Sequence, residues 1–165
     1  MKKMLIALAL LVVSSPLYAQ STPVQIACFK GGYKPMCDSF KQAVNQDPLW
    51  HQKKGGARYV ALLGADFDPQ TGLVSGAVSF GAALTDPVSN NFPHLIQMVT
   101  FYVDPSTASA AGPVLVELLT QSAIAFADAL ASLQRHGTAG QDLSDMDEVP
   151  MRLLTDEDFA VRFAP

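Results

Sequence analysis

The residues of this chain whose types bear on chemistry are three histidines, a run of acids, one serine in a motif-like setting and a pair of cysteines. His51, His94 and His136 stand singly. An imidazole works as general acid or base when a hydroxyl and an orienting carboxylate come within hydrogen-bond reach. His51 or His94 with an acid such as Asp86 would form such a set if the fold gathered them, although nothing in their spacing requires it. His136 falls at the end of a predicted helix, where an imidazolium suits the dipole and caps the last turn. Asp142, Asp145, Asp147 and Glu148 carry the hard oxygens that calcium takes, but the EF-hand order of ligands and its central glycine are missing, so a solvated acidic loop is expected. Ala77-Val78-Ser79-Phe80-Gly81 approximates a nucleophile elbow with alanine in place of the first glycine. That motif needs a strand-to-helix turn, whereas Ser79 falls inside a predicted strand. No catalytic residue, metal or cofactor is therefore expected.

Cys28 and Cys37 lack the C-x-x-C spacing of thiol oxidoreductases and the neighbouring histidines of a zinc site. In an oxidising compartment such a pair forms a disulfide, and closing so short a loop contributes roughly 2–3 kcal/mol in the chain-entropy model. The compartment is read from the first residues. Lys2 and Lys3 precede an apolar run from Met4 to Val13, then Ser14-Ser15-Pro16 and Leu17-Tyr18-Ala19. This pattern predicts a signal peptide over residues 1–19, cut after Ala19, followed by a single exported domain over 20–165. The apolar run is too short to span a bilayer stably, and Cys28 lies too far downstream to be a lipidated cysteine. A periplasmic or secreted protein without stable membrane insertion is expected.

The elements that must position these residues follow from pattern. Asp66-Phe67-Asp68-Pro69-Gln70-Thr71-Gly72 is a strong turn signature, with Pro69 presetting φ and Gly72 free to take the positive φ of a bulged return. It predicts a hairpin of strands 57–67 and 72–84. Residues 95–103, rich in β-branched and aromatic side chains, predict a third strand, and 24–29 a short one. Tyr59, Ala61, Leu63, Ala65 and Phe67 share one face of the first hairpin strand. Small residues on the second face of its partner, Ser75, Ala77 and Ser79, call for a closely packed helix or a binding partner. Pro35 opens a predicted helix over 35–45. Gly112-Pro113 opens the longest one, 113–136, with Leu115, Leu118, Leu119, Ser122, Phe126, Ala129, Leu130 and Leu133 at helical spacing. A last short helix is predicted over 156–163. The expected architecture is α+β, an antiparallel sheet of about three to four strands covered by the long helix. Residues 49–56 read as a polar loop holding Trp50 as a lid on the core.

The chain carries a formal charge of −4, which becomes −6 once the leader with its two lysines and no acid is removed. Such acidity argues against nucleic acid as partner. Charge is uneven: residues 20–58 hold Lys30, Lys34, Lys41, Lys53, Lys54 and Arg58 against Asp38 and Asp47, while acids dominate everything after Arg58. The two ends are expected to meet across a surface, or to steer a partner. Gly55-Gly56-Ala57-Arg58-Tyr59 resembles, over five residues, the short Ser-Gly-x-x-Tyr loop of the periplasmic lysozyme-inhibitor families, with Gly55 in place of the serine. The resemblance implies a basic loop beside a strand that plugs a partner's acidic cleft.

These observations lead to the expectation of a small exported binding protein without catalytic activity: an inhibitor, an immunity-type protein or an accessory subunit of an envelope system. It would meet a protein partner in the cell envelope through Lys53, Lys54, Arg58 and Tyr59, and through Asn90, Asn91, Phe92 and His94 in the loop before the third hairpin-sheet strand. The alternative is a small periplasmic hydrolase with a dispersed histidine-based site. The sequence leaves the oligomeric state open.

Overall fold

The computed structural model describes residues 21–82, 94–136 and 151–160. Its elements run β1 (Thr22–Cys28), α1 (Lys34–Gln46), β2 (Trp50–Gln52), β3 (Tyr59–Asp68), β4 (Leu73–Ala82), β5 (His94–Val103), α2 (Pro105–Ala110), α3 (Gly112–His136), β6 (Met151–Leu154) and α4 (Asp156–Ala160). The strands form one six-stranded sheet in the order β2-β1-β3-β4-β5-β6. β3, β4 and β5 are an antiparallel meander, whereas β1 runs parallel to both β2 and β3, and β6 runs parallel to β5.

The turn between β3 and β4 forms as its residues require. The Gly72 N–H donates to the Asp68 carbonyl at 2.8 Å with φ of 74°, a left-handed conformation that side chains disfavour. Asp68 organises the rest of the turn: its carboxylate accepts from the Gln70 N–H at 2.8 Å and from the Thr71 hydroxyl at 2.9 Å. Those hydrogen bonds, the Gln70 amide first, hold the Asp68 carboxyl below its ordinary pKa.

Alternation along the strands sends one set of side chains into the core. Tyr59, Ala61, Leu63 and Ala65 of β3 are buried with Val74, Val78, Phe80 and Ala82 of β4 and Val99, Phe101 and Val103 of β5. Helices α1 and α3 supply the opposing layer, with Met36, Phe40 and Val44 from α1 and Leu115, Leu118 and Leu119 from α3. Three polar contacts fix that layer. The Gly112 N–H donates to Ser39 Oγ at 3.0 Å, the buried Ser122 hydroxyl donates to Gln97 Oε1 at 2.6 Å, and Trp50 Nε1 donates to Thr120 Oγ1 at 2.9 Å. Trp50 is indeed a core residue, meeting Tyr59 edge to face at 5.5 Å. At the far edge, the Asp156 carboxylate accepts from the Asp104 N–H at 3.1 Å, tying α4 to the end of β5, while Leu154 and Phe159 join the core.

The α+β class is as expected, but the antiparallel sheet of three to four strands is corrected to a mixed sheet of six. The loop expected at 49–56 contains β2, and residues between the strand expected over 95–103 and the long helix form α2. Strands of three and four residues, such as β2 and β6, are too short to show a period, and their parallel partners are reached only through distant segments. Phe67 leaves the buried face on which alternation places it and is half exposed at the hairpin end. The helix expected over 156–163 begins at Asp156. Its residues 161–163, strand residues 83 and 84, and the side chains of Ala129, Leu130 and Leu133 lie outside the described residues.

Candidate functional site

The basic loop between β2 and β3 is held at its base and open at its tip. The Lys53 N–H donates to the Val24 carbonyl at 2.9 Å, and the Gly55 N–H donates to Gln25 Oε1 at 3.2 Å. Lys53, Lys54 and Arg58 are exposed, and among the described residues they form no ion pair. Tyr59 does not belong with them. It is buried against Trp50, its ring packed under the sheet's helical layer, so its expected role as a contact residue is corrected to a core role; Arg58 lies 5.7 Å from its ring centroid. The same burial removes the tyrosine of the five-residue loop resemblance from the surface. Asn90, Asn91 and Phe92 lie outside the described residues, as does the side chain of His94, whose backbone pairs with Ala82 at the start of β5.

The larger surface is one that side-chain types hint at only weakly: the second face of the sheet. None of the described helices lies on it. Phe29, Leu62, Leu95, Tyr102 and Leu153 stand there at 68%, 40%, 42%, 44% and 62% exposure. The ring of Phe29 lies across Gly64, 3.0 Å from where a β-carbon would be. Between these large groups the register sets small or uncharged residues side by side. Gly64, Ala77, Thr100 and Leu153 form one row and Ala27, Leu62, Ser79 and Met98 the next. Small side chains of β4 thus lie between Leu62 of β3 and Tyr102 of β5, and the exposed Asp66 closes the face at one end, in the row of Ser75 and Tyr102. The helix that the small residues of β4 called for on this face is not there among the described residues, and the aromatic and aliphatic residues at alternate positions of the strands mark its larger side chains.

Of the residues weighed for catalysis, the side chains of His51 on β2 and Ser79 on β4 are described, and β1 and β3 lie between their strands. Ser79 lies mid-strand between Leu62 and Met98, with no strand-to-helix turn beside it. His51 is exposed on the edge strand β2, with Nδ1 2.9 Å from Ser21 Oγ. Among the described residues no carboxylate hydrogen-bonds its ring, so the contact pins the start of β1 to β2 and has half the partners a catalytic imidazole needs. Asp86, the acids from Asp142 to Glu148 and the side chain of His136 lie outside the described residues. Among those described, no three histidine, cysteine or acidic side chains are placed to hold a metal. No described helix is long and apolar enough to cross a membrane.

No protein-family model matches the chain, and neither a curated protein nor a solved structure matches it. Geometry alone therefore carries the functional reading.

Proposed function

We propose that this chain is an exported, non-catalytic binding protein that docks a protein of the cell envelope on the sheet face that no described helix covers. The observation that carries this reading is the asymmetry of the sheet among the described residues: helices on one side, and on the other an uncharged mid-sheet strip with exposed Phe29, Leu62, Tyr102 and Leu153 around it. Exposed aromatic and aliphatic side chains set among small uncharged ones are a recurrent feature of protein interfaces. A partner offering an apolar segment would bury these side chains, and the exposed cations of the loop holding Lys53, Lys54 and Arg58 would favour acidic groups at the rim. Export is supported by the leader-like residues 1–19 and is compatible with the formed Cys28–Cys37 disulfide.

Photo-crosslinking in cells that export the chain tests the proposal. A photoreactive residue at Ala77 or Thr100 is expected to give one adduct of constant mass with an envelope protein, whereas the same residue at Asp128, exposed on α3, gives none. Equal labelling from both sides, or adducts made only of two copies of this chain, would overturn it.

A further inference from the structure

A second site lies at the opposite corner of β1, where the strand stops short. β1 ends at Cys28, paired with Leu63, while β3 continues to Asp68. The strip beside Ala65 is filled by the loop 29–33 instead of a strand, and this leaves a cavity of about 330 Å³ between that loop, β3 and the start of α1. The volume is at the small end of the roughly 300–1,000 Å³ typical of ligand pockets.

The walls are built and fixed. The Phe29 N–H donates to the Leu63 carbonyl at 3.0 Å, the Gly32 N–H to the Phe29 carbonyl at 3.2 Å, and the Tyr33 N–H to the Ala65 carbonyl. A β-carbon at Gly32 would meet the Ala65 carbonyl oxygen at 2.8 Å, so only glycine lets the loop lie this close to β3. Tyr33 is anchored in turn by its hydroxyl, which lies 3.3 Å from both the Pro105 carbonyl and Ser109 Oγ. The Cys28–Cys37 disulfide clamps the loop to α1 with Cα atoms 6.2 Å apart. A cavity held this way needs little reordering to receive a ligand.

Its lining is divided. Leu63, Ala65 and the disulfide give it an apolar side, whereas Lys34, Asp38 and Lys41 line it from one face of α1 at helical spacing. Two cations and one acid leave a local charge of +1 in a chain whose net charge is −4. Lys34 lies 4.0 Å from Asp38, and Lys41 has no ion pair among the described residues. A singly charged anion with a short apolar body matches this distribution, whereas a doubly charged phosphate would crowd Asp38.

We propose that this cavity binds a small monocarboxylic acid, its apolar body against Leu63, Ala65 and the disulfide and its carboxylate toward Lys41 and Lys34. The cavity shares Phe29 with the proposed docking face, whereas Lys34, Asp38, Lys41 and the disulfide belong to the cavity alone. Isothermal titration of the purified chain with phenylpropionate, phenylpropanamide and phenylpropylamine tests it, with amide chemical-shift mapping to locate the site. The acid is expected to bind with shifts centred on residues 28–41 and 63–65, and the amide and amine to bind at least about threefold more weakly, as a partly exposed ion pair implies. Lys41→Met should weaken the acid by a similar factor. Asp38→Asn should tighten it by about twofold, a change of sign that a merely perturbed fold would not produce. Failure of the acid to bind, equal binding of all three compounds, shifts elsewhere, or weakening by Asp38→Asn would each overturn the proposal.

Discussion

Asp68 shows how a single side chain can set both a turn and a pH response. Its carboxyl is held below the ordinary value near 3.9 first by the Gln70 N–H and then by the Thr71 hydroxyl. A lowered native pKa means that the charged form is favoured by folding, so its contribution is present above about pH 4 and is lost as pH falls through the lowered value. Urea unfolding is expected to find Asp68→Asn less stable than the parent at pH 7, with the gap narrowing near pH 2; a gap that stays constant would show that these hydrogen bonds do not discriminate between the protonation states. The turn was legible because its information is local: proline, threonine and glycine occupy positions that each have a steric reason. Tyr59 was half legible. Alternation placed it on the face with Ala61 and Leu63, but a neighbouring basic loop made it look like a contact residue, and only the packing of Trp50 against it decides that it faces inward.

Elements were legible in proportion to their length. The ten-residue strands β3, β4 and β5 and the helices α1 and α3 carry enough residues to show a period, whereas β2 and β6 exist because neighbouring strands offer them hydrogen bonds. Parallel pairing of β1 with β3 across α1 and β2 has no local signature at all, since its partners are brought together by helix packing. The cysteine pair is the exception among long-distance features. Compartment and spacing predict the bridge, and it joins the end of β1 to α1 across a sequence separation of 9. Replacing both cysteines by serine is expected to lower stability by about 2–3 kcal/mol in denaturant titration, the value of closing such a loop in the unfolded chain. A loss below about 0.5 kcal/mol would mean that the backbone bonds of Phe29, Gly32 and Tyr33 hold the loop without it.

At the scale of the whole molecule, one hydrophobic cluster joins residues from the first strand to the last helix, including Val24, Phe40, Phe80, Leu119, Leu154 and Phe159. Such a core should unfold as a unit: calorimetry is expected to show one transition with equal calorimetric and van't Hoff enthalpies, and two resolved transitions would contradict it. Among the described residues the Lys34–Asp38 and Arg152–Asp158 pairs each join near neighbours, and the acids from Asp142 to Glu148, on which part of the charge asymmetry rests, lie outside them. The small residues of β4 called for a helix or a partner on the second sheet face, and that no described helix lies there depends on where every helix comes to rest. Trp50 gives this architecture a natural optical reporter. As the chain's one tryptophan, on an outermost strand and bonded through its indole to Thr120 of α3, it senses the junction of the first and last thirds of the fold. Its emission will move to longer wavelength when α3 and β2 separate, at the same midpoint as the single calorimetric transition.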